Sequence, residues 1–419
     1  MEIKRDRYLQ ELIDRMDNGL IKVITGIRRC GKSYLLFKLF YKYLKENLHI
    51  DEEHIIKLAL DDRQNKEYLN PDALYVYVKG RIKDNEKYYI LLDEVQLVED
   101  FESVLNGFLH IENADTYVTG SNAKFLSKDI ITEFRGRGDE IRVAPLSFAE
   151  FLSVYGSGDK YDAWNEYFTY GGLPAILERK TVKQKTEYLI NLFKEVYLTD
   201  IKERNKVKND GELEELLNVL SSSIGSLTNP SKLNKTFKTM KNVELSEPTI
   251  KNYLEYLEDA FVVHKALRYD IKGKKYINTP SKYYFTDVGL RNARLNFRQQ
   301  EENHIMENII YNELRIRGYS VDVGIVEINE RIEDGRYVKK SLEVDFIAMQ
   351  GSKKYYIQSA FRISDGDKEK QEKRSLENIN DFFKKIVVMK DRTMLSRDEN
   401  GIVTMDIFEF LLNPNSLDA

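Results

Sequence analysis

The chain is poor in the residues that anchor disulfide and metal chemistry. A single cysteine excludes an internal disulfide, and five histidines scattered along 419 residues without ligand spacing argue against structural zinc. Long apolar runs are missing as well. No segment approaches the roughly 18 to 20 residues that a membrane-spanning helix needs, and the opening MEIKRDRYLQ lacks the apolar stretch of a signal peptide. A cytoplasmic protein without membrane contact is the expectation. Neither sign of charge is in excess: 65 Lys and Arg face 69 Asp and Glu, a formal net charge of -4. Whole-chain electrostatics therefore does not announce a nucleic-acid partner, and any basic surface must be local. Internal repeats are absent, and low complexity is limited to short charge runs. What is present is 42% hydrophobic and 11% aromatic residues, which excludes a disordered or fibrous chain. At about 150 residues per domain, the length predicts two to three domains.

The first third alternates short apolar runs with helical periodicity, the pattern of a sheet with crossover helices. Strands are expected at Ile21 to Thr25, His54 to Leu60, Tyr88 to Leu92, Asp115 to Thr119 and Glu140 to Val143. Nothing in Tyr88 to Leu92 alternates, so that strand is expected to be buried on both faces. After Pro145 the pattern turns helical, through LSFAEFLSVY, DAWNEYFTY and KTEYLINLFKEVYLTDIKERN, and the polar KVKNDGE reads as a linker. Short helices and a hairpin follow. From about Glu302 come a helix, strands near YSVDVGIVEI, SLEVDFIAM and KYYIQSAFR, a charged helix, and a final strand at KIVVMK.

Gly26-Ile27-Arg28-Arg29-Cys30-Gly31-Lys32-Ser33 matches the phosphate-binding loop G-x-x-x-x-G-K-[ST] in full, between an expected strand and an expected helix. Its glycines let backbone N–H groups turn toward phosphate oxygens, Lys32 can reach the β and γ phosphates, and the Ser33 hydroxyl can ligate Mg²⁺. The helix entered through Ser33 and Tyr34 adds its positive end to the same site. ATP and Mg²⁺ are the expected cofactors. Arg28 and Arg29 are unusual in such a loop and are open to contact with phosphate, a neighbouring subunit or solvent. Cys30 reads as a small loop residue, and is also the one thiol through which alkylation would block the loop.

Sixty residues on, the apolar Tyr88 to Leu92 ends in Asp93-Glu94. In P-loop enzymes such an acid holds the Mg²⁺ shell, which assigns Asp93 to the metal, while Glu94 is placed to polarise water for attack on the γ phosphate. A further strand ends in Thr119-Gly120-Ser121-Asn122, where Ser121 and Asn122 are both candidates to orient that water. Arg137, on the turn Phe134-Arg135-Gly136-Arg137-Gly138, is the preferred arginine finger toward a neighbour's nucleotide, with Arg135 the runner-up and a surface pairing with Glu133 or Asp139 the alternative.

Residues 1 to about 150 resemble an AAA-type ATPase domain. With PLSFAEF (Pro145 to Phe151), YGGLP (Tyr170 to Pro174) and YLTDIKER (Tyr197 to Arg204), nearly the whole chain resembles a prokaryotic ATPase family in which this domain precedes a carboxy-terminal domain of unknown function. The resemblance implies ATP binding, Mg²⁺-dependent hydrolysis and assembly into a homo-oligomer; it supplies no substrate.

Between about 211 and 292 the helices and hairpin resemble a winged helix, with Lys232, Lys235, Lys238 and Lys241 on the preceding helix and turn, and Lys272, Lys274, Lys275 and Lys282 in and beside the hairpin as candidate DNA contacts. The alternative is a module that docks protein. Farther on, Glu307, Asp345 and Gln358 have the layout of a restriction-endonuclease-like fold. Such chemistry needs an acid, then an acid-x-lysine triplet about a dozen residues on. Gln358 stands where the second acid belongs and Ala360 where the lysine belongs, leaving Lys368, Lys370 or Lys373 as migrated replacements. The expected fold is α/β: a P-loop AAA-type core (1–145), a helical lid (146–205), a winged helix (206–292) and a degenerate nuclease-like α/β domain (293–419). The leading expectation is an ATPase coupled to DNA, ahead of a nucleotide-dependent switch acting on a protein partner and of an ATP-gated nuclease.

Overall fold

The computed structural model describes residues 2–120, 136–156, 158–207, 210–241, 245–298, 301–331, 336–361, 366–390 and 394–418. They form two compact units, the first built mainly from Met1–Leu146 and the second from Ser147–Gly172, Ile176–Glu258 and Val262–Ala419. Among the described residues no helix is long and apolar enough to cross a membrane.

The first unit is a five-stranded parallel sheet of β1 (Ile21–Thr25), β2 (Ile55–Ala59), β3 (Tyr88–Asp93), β4 (Ala114–Thr119) and β5 (Gly138–Arg142), in the order β2-β3-β4-β1-β5. All six residues of β3 are buried, as its unbroken apolar run predicts. Helices join these strands. The first crossover runs through Lys32–Tyr34, a π-helical Leu35–Phe40 and Tyr41–Glu46. Another, Pro71–Arg81, starts with proline where the missing N–H costs nothing, and Asn70 accepts from the Ala73 N–H at 3.0 Å. Apolar residues of these strands and helices, Ile56, Leu58, Leu74, Ile90, Leu92, Phe101, Phe108 and Val118 among them, close into one core. Because every strand is parallel, β1, β3 and β4 deliver their carboxyl ends to one edge, where ligands of open α/β sheets gather.

The second unit begins with helices whose starts the sequence marks. Ser147 and Glu150 form a capping box for Phe148–Val154, and Thr181 and Gln184 form another for Val182–Asn191. The YGGLP segment has a steric reason for its glycine: Gly171 has φ +77°, and a Cβ there would lie 2.1 Å from the Asp287 carboxylate, which accepts from the Gly172 N–H at 2.7 Å. Helices Asp210–Ser222, Pro230–Lys241 and Glu247–Asp259 precede the hairpin β6 (Val263–Asp270) and β7 (Lys275–Phe285), and Thr228 bridges Ser281 antiparallel.

The hairpin is not free-standing. β6 pairs in parallel with β8 (Ser320–Arg331), which continues antiparallel through β9 (Tyr337–Gln350) and β10 (Lys353–Ala360). After helix Gly366–Glu377 comes β11 (Lys384–Met389), parallel to β10. The sheet therefore runs straight across the division expected at 292/293. It also extends past KIVVMK, the strand expected to be last: β12 (Ser396–Arg397) and β13 (Val403–Asp406) complete eight strands in the order β12-β13-β11-β10-β9-β8-β6-β7, and helix Ile407–Leu412 follows. Those two strands are too short for periodicity to reveal.

Candidate functional site

At the carboxyl edge of the first sheet, the loop after β1 folds as its sequence demands. Gly26 sits at φ +140°, and a Cβ there would lie 2.1 Å from the Val143 carbonyl oxygen, so only glycine fits. Gly31 takes φ +103°, and Arg29 also lies in the left-handed region at φ +63°. Arg29 is exposed and Arg28 is half-buried, beside a buried Ile27. Lys32 is buried, and its ammonium donates to the carbonyls of Gly26 (3.0 Å) and Ile27 (3.2 Å). Ser33 is exposed, and the Tyr34 hydroxyl accepts from the Ile3 N–H at 3.2 Å.

Cys30 departs from the alkylation reading alone. It is fully buried and its thiol donates to the Val143 carbonyl at 3.3 Å, so it is not the accessible handle for alkylation that its place in the loop suggests.

Asp93 ends β3 beside this loop. Burial pushes its carboxyl above the usual range, against hydrogen bonds from Thr119 and Ser33 that pull it down. A hydroxyl and a carboxylate in mutual contact are hard oxygen donors of the kind Mg²⁺ takes. Glu94 follows in the left-handed conformation (φ 54°), its carboxylate accepting from the Gln96 amide. Thr119, which no motif singles out, joins the pair: its hydroxyl donates to Asp93 and accepts from the Glu94 N–H at 3.0 Å. A polar residue closing the strand beside β3 was the available clue. Ser121 and Asn122, and Arg135 with them, lie outside the described residues.

Arg137 is exposed, and its carbonyl accepts from the Ile21 N–H at 2.9 Å. Asp139, offered as its surface partner, is instead held by Arg15 and Asn18, each at 2.9 Å. A second residue that the motifs miss, Arg5, is buried and reaches the loop from just before the first helix. Its guanidinium donates to the carbonyls of Ala144 (2.6 Å) and Cys30 (3.5 Å).

The second unit brings together residues that lie far apart along the chain. Lys272, Lys274 and Lys275 are exposed, with the Lys272 ammonium on the Glu327 carbonyl at 2.8 Å. Lys282 is not a surface cation. Its side chain is 3% exposed, and its ammonium lies 2.8 Å from Glu307, 2.7 Å from Glu343 and 3.7 Å from Asp345. It belongs to the last five residues of β7, all of them buried, which rules out the phosphate contact expected of it. Tyr284, two residues on and so on the same face, donates to Glu307 at 2.6 Å. The Ser359 N–H donates to Asp345 at 2.8 Å, and the Gln358 side-chain Oε1 accepts from the Asp345 backbone N–H at 3.4 Å.

Burial opposes the charge on Glu307, but the Lys282 ammonium, the His304 imidazole 3.6 Å away, and hydrogen bonds from Lys282 and Tyr284 hold its carboxyl down at about 2. Burial, then the Glu307 charge, push Asp345 up to about 8. Of the candidate migrated lysines, Lys373 is paired with Asp398 at 3.0 Å, Lys370 is exposed, and the Lys368 side chain lies outside the described residues.

A P-loop, an acid-ended buried strand and a parallel sheet define an AAA-type P-loop domain, and residues 18–152 match the family described as AAA domain. Residues 161–301 match a domain of unknown function. The chain is 36% identical to an uncharacterized protein of Haemophilus influenzae over 98% of both chains, and 30% identical to the uncharacterized protein MJ1544 of Methanocaldococcus jannaschii over 94% of this chain and 86% of that one. It belongs to the family of these two proteins, with the AAA-type domain first and the domain of unknown function after it. Among solved structures, the Walker-type ATPase of Pyrococcus abyssi covers 70% of this chain and 96% of its own at 13% identity and a TM-score of 0.49, a likeness too loose to bear on function.

Proposed function

We propose that the chain is a Mg²⁺-dependent ATP hydrolase. The observation that carries this reading is the contact of Ser33, Asp93 and Thr119 beside the Lys32 loop. The loop N–H groups and the Lys32 ammonium would bind the phosphates, and Ser33 and Asp93 would hold the metal, which neutralises charge developing on the phosphates. Glu94 accepts the proton of the attacking water, with Thr119 fixing both its backbone and the Asp93 carboxylate. The exposed Arg137 serves as the finger toward a second copy in a homo-oligomer. Steady-state hydrolysis with Mg²⁺ tests this. Glu94→Gln is expected to lower turnover by about 10² to 10⁴ while leaving ATP binding intact, and Lys32→Ala to weaken nucleotide binding itself. Turnover indifferent to Glu94→Gln would sink the reading.

Coupling to DNA is the fuller form of the proposal. Three helices, the Thr228–Ser281 bridge and the hairpin support a winged helix, and Lys272, Lys274 and Lys275 remain on its exposed tip. A protein-docking role is the second reading, favoured by the anchoring of the hairpin in the eight-stranded sheet. Duplex and single-stranded DNA added to the hydrolysis assay separate them: a severalfold rise supports coupling, and no response supports protein docking. The order helix Glu302–Ile316, β8, β9, β10, helix Gly366–Glu377, β11 supports the nuclease-like layout, but Ala360 removes the lysine of that chemistry, and active cleavage is not proposed.

A further inference from the structure

The carboxylates of Glu307, Glu343 and Asp345 gather around one ammonium in the second unit, apart from the residues assigned to ATP hydrolysis. Carboxylates brought this close repel one another, and two of the three are buried, so the cluster needs a cation to exist. In a nuclease that cation is a divalent metal. Here a covalently attached one is present: the ammonium of Lys282, on a side chain 3% exposed and within 2.7 to 3.7 Å of all three carboxylates. It arrives from β7, a strand upstream of the whole nuclease-like layout, and Tyr284 on the same face adds a hydrogen bond to Glu307.

We infer that the Lys282 ammonium is the resident cation of this pocket, occupying the volume that a divalent ion would take and closing the carboxy-terminal domain to metal. One further observation agrees. Asp345, with its carboxyl held up toward neutrality by burial and by Glu307, does not bring a full third negative charge, so one lysine suffices.

The inference is independent of the P-loop reading and is tested without nucleotide. Mn²⁺ binding to the chain is followed by electron paramagnetic resonance in the native protein, in Glu307→Gln, in Lys282→Met, which keeps the stem and removes the charge, and in Lys282→Met/Glu307→Gln. Asp93→Asn marks any ion held at the P-loop instead. The native chain is expected to show no Mn²⁺ signal that depends on Glu307. Lys282→Met should gain one site, tighter than any in the native pocket by about a hundredfold or more, since a unit charge within 4 Å is removed, and the double variant should lose it. Mn²⁺ binding by the native chain that Glu307→Gln abolishes would overturn the inference, as would a folded Lys282→Met that binds none. If Lys282→Met folds only when Mn²⁺ is present, the ion has replaced the ammonium and the inference stands.

Discussion

Thr119 and Lys282 show how much one side chain's neighbours decide. The Thr119 hydroxyl serves two masters, the Asp93 carboxylate and the Glu94 N–H. Thr119→Val keeps shape and removes both bonds, leaving a buried carboxylate short of a donor, a cost of about 1 to 3 kcal/mol. Hydrolysis is expected to fall at least tenfold, on the scale of about 1.4 kcal/mol of transition-state stabilisation, with ATP affinity changed far less. Parallel titration of nucleotide binding and turnover checks that split; equal losses in both would show that Thr119 only supports the fold. Lys282 makes the opposite point. Counted with Lys272, Lys274 and Lys275 it is one of four lysines in and beside the hairpin, yet it alone faces three acids.

At the scale of elements, close approach is what the second unit uses to bind its pieces. The helix Val288–Arg294 is buried nearly throughout, and the side chain of its Arg291 donates to the Ser221 carbonyl at 2.8 Å while Asn292 donates to the Phe168 carbonyl at 3.1 Å. Gly289 lets this helix reach Lys160–Tyr170: a Cβ there would stand 2.0 Å from the Tyr170 carbonyl oxygen. Gly289→Ala must push backbone apart, and a loss of about 1 to 3 kcal/mol is expected from such overpacking. Thermal unfolding of the variant measures it, and an unchanged midpoint would mean that the helices separate without cost. Little of this was legible beforehand, because the partners of Gly289 and Arg291 lie far away along the chain. Helix starts are local by contrast, since the capping boxes of Ser147 with Glu150 and Thr181 with Gln184 each lie within four residues.

For the molecule as a whole, the question is where a polyanion would touch. If DNA is engaged through the hairpin tip, replacing Lys272, Lys274 and Lys275 together by alanine should flatten the slope of log K against log salt by up to about 0.9 for each phosphate that is no longer neutralised. Lys282→Ala should leave that slope unchanged and instead cost about 3 to 5 kcal/mol of stability, because Glu307 is left buried without its cation. Salt-dependent binding to a duplex, paired with denaturant unfolding, reads both. A salt slope that responds to Lys282 and not to the other three would reverse the assignment.

The P-loop, its acid partner and the strands that carry them could be read from the order of residues. They rest on contiguous stretches whose spacing is dictated by backbone geometry: glycines that must turn, a lysine and serine that follow them, an apolar strand ending in Asp93. The strand order β2-β3-β4-β1-β5, which sets Thr119 between the loop and Asp93, could not, because pairing between distant strands leaves no local mark. The same holds for Lys282. The aromatic run Tyr283-Tyr284-Phe285 beside it marks a buried strand end, but which acids it meets is decided where β7, the helix bearing Glu307 and the strand bearing Glu343 and Asp345 converge. Local chemistry sets the phosphate-loop motif and its acid partner; long-range pairing decides which charges face water and which face one another.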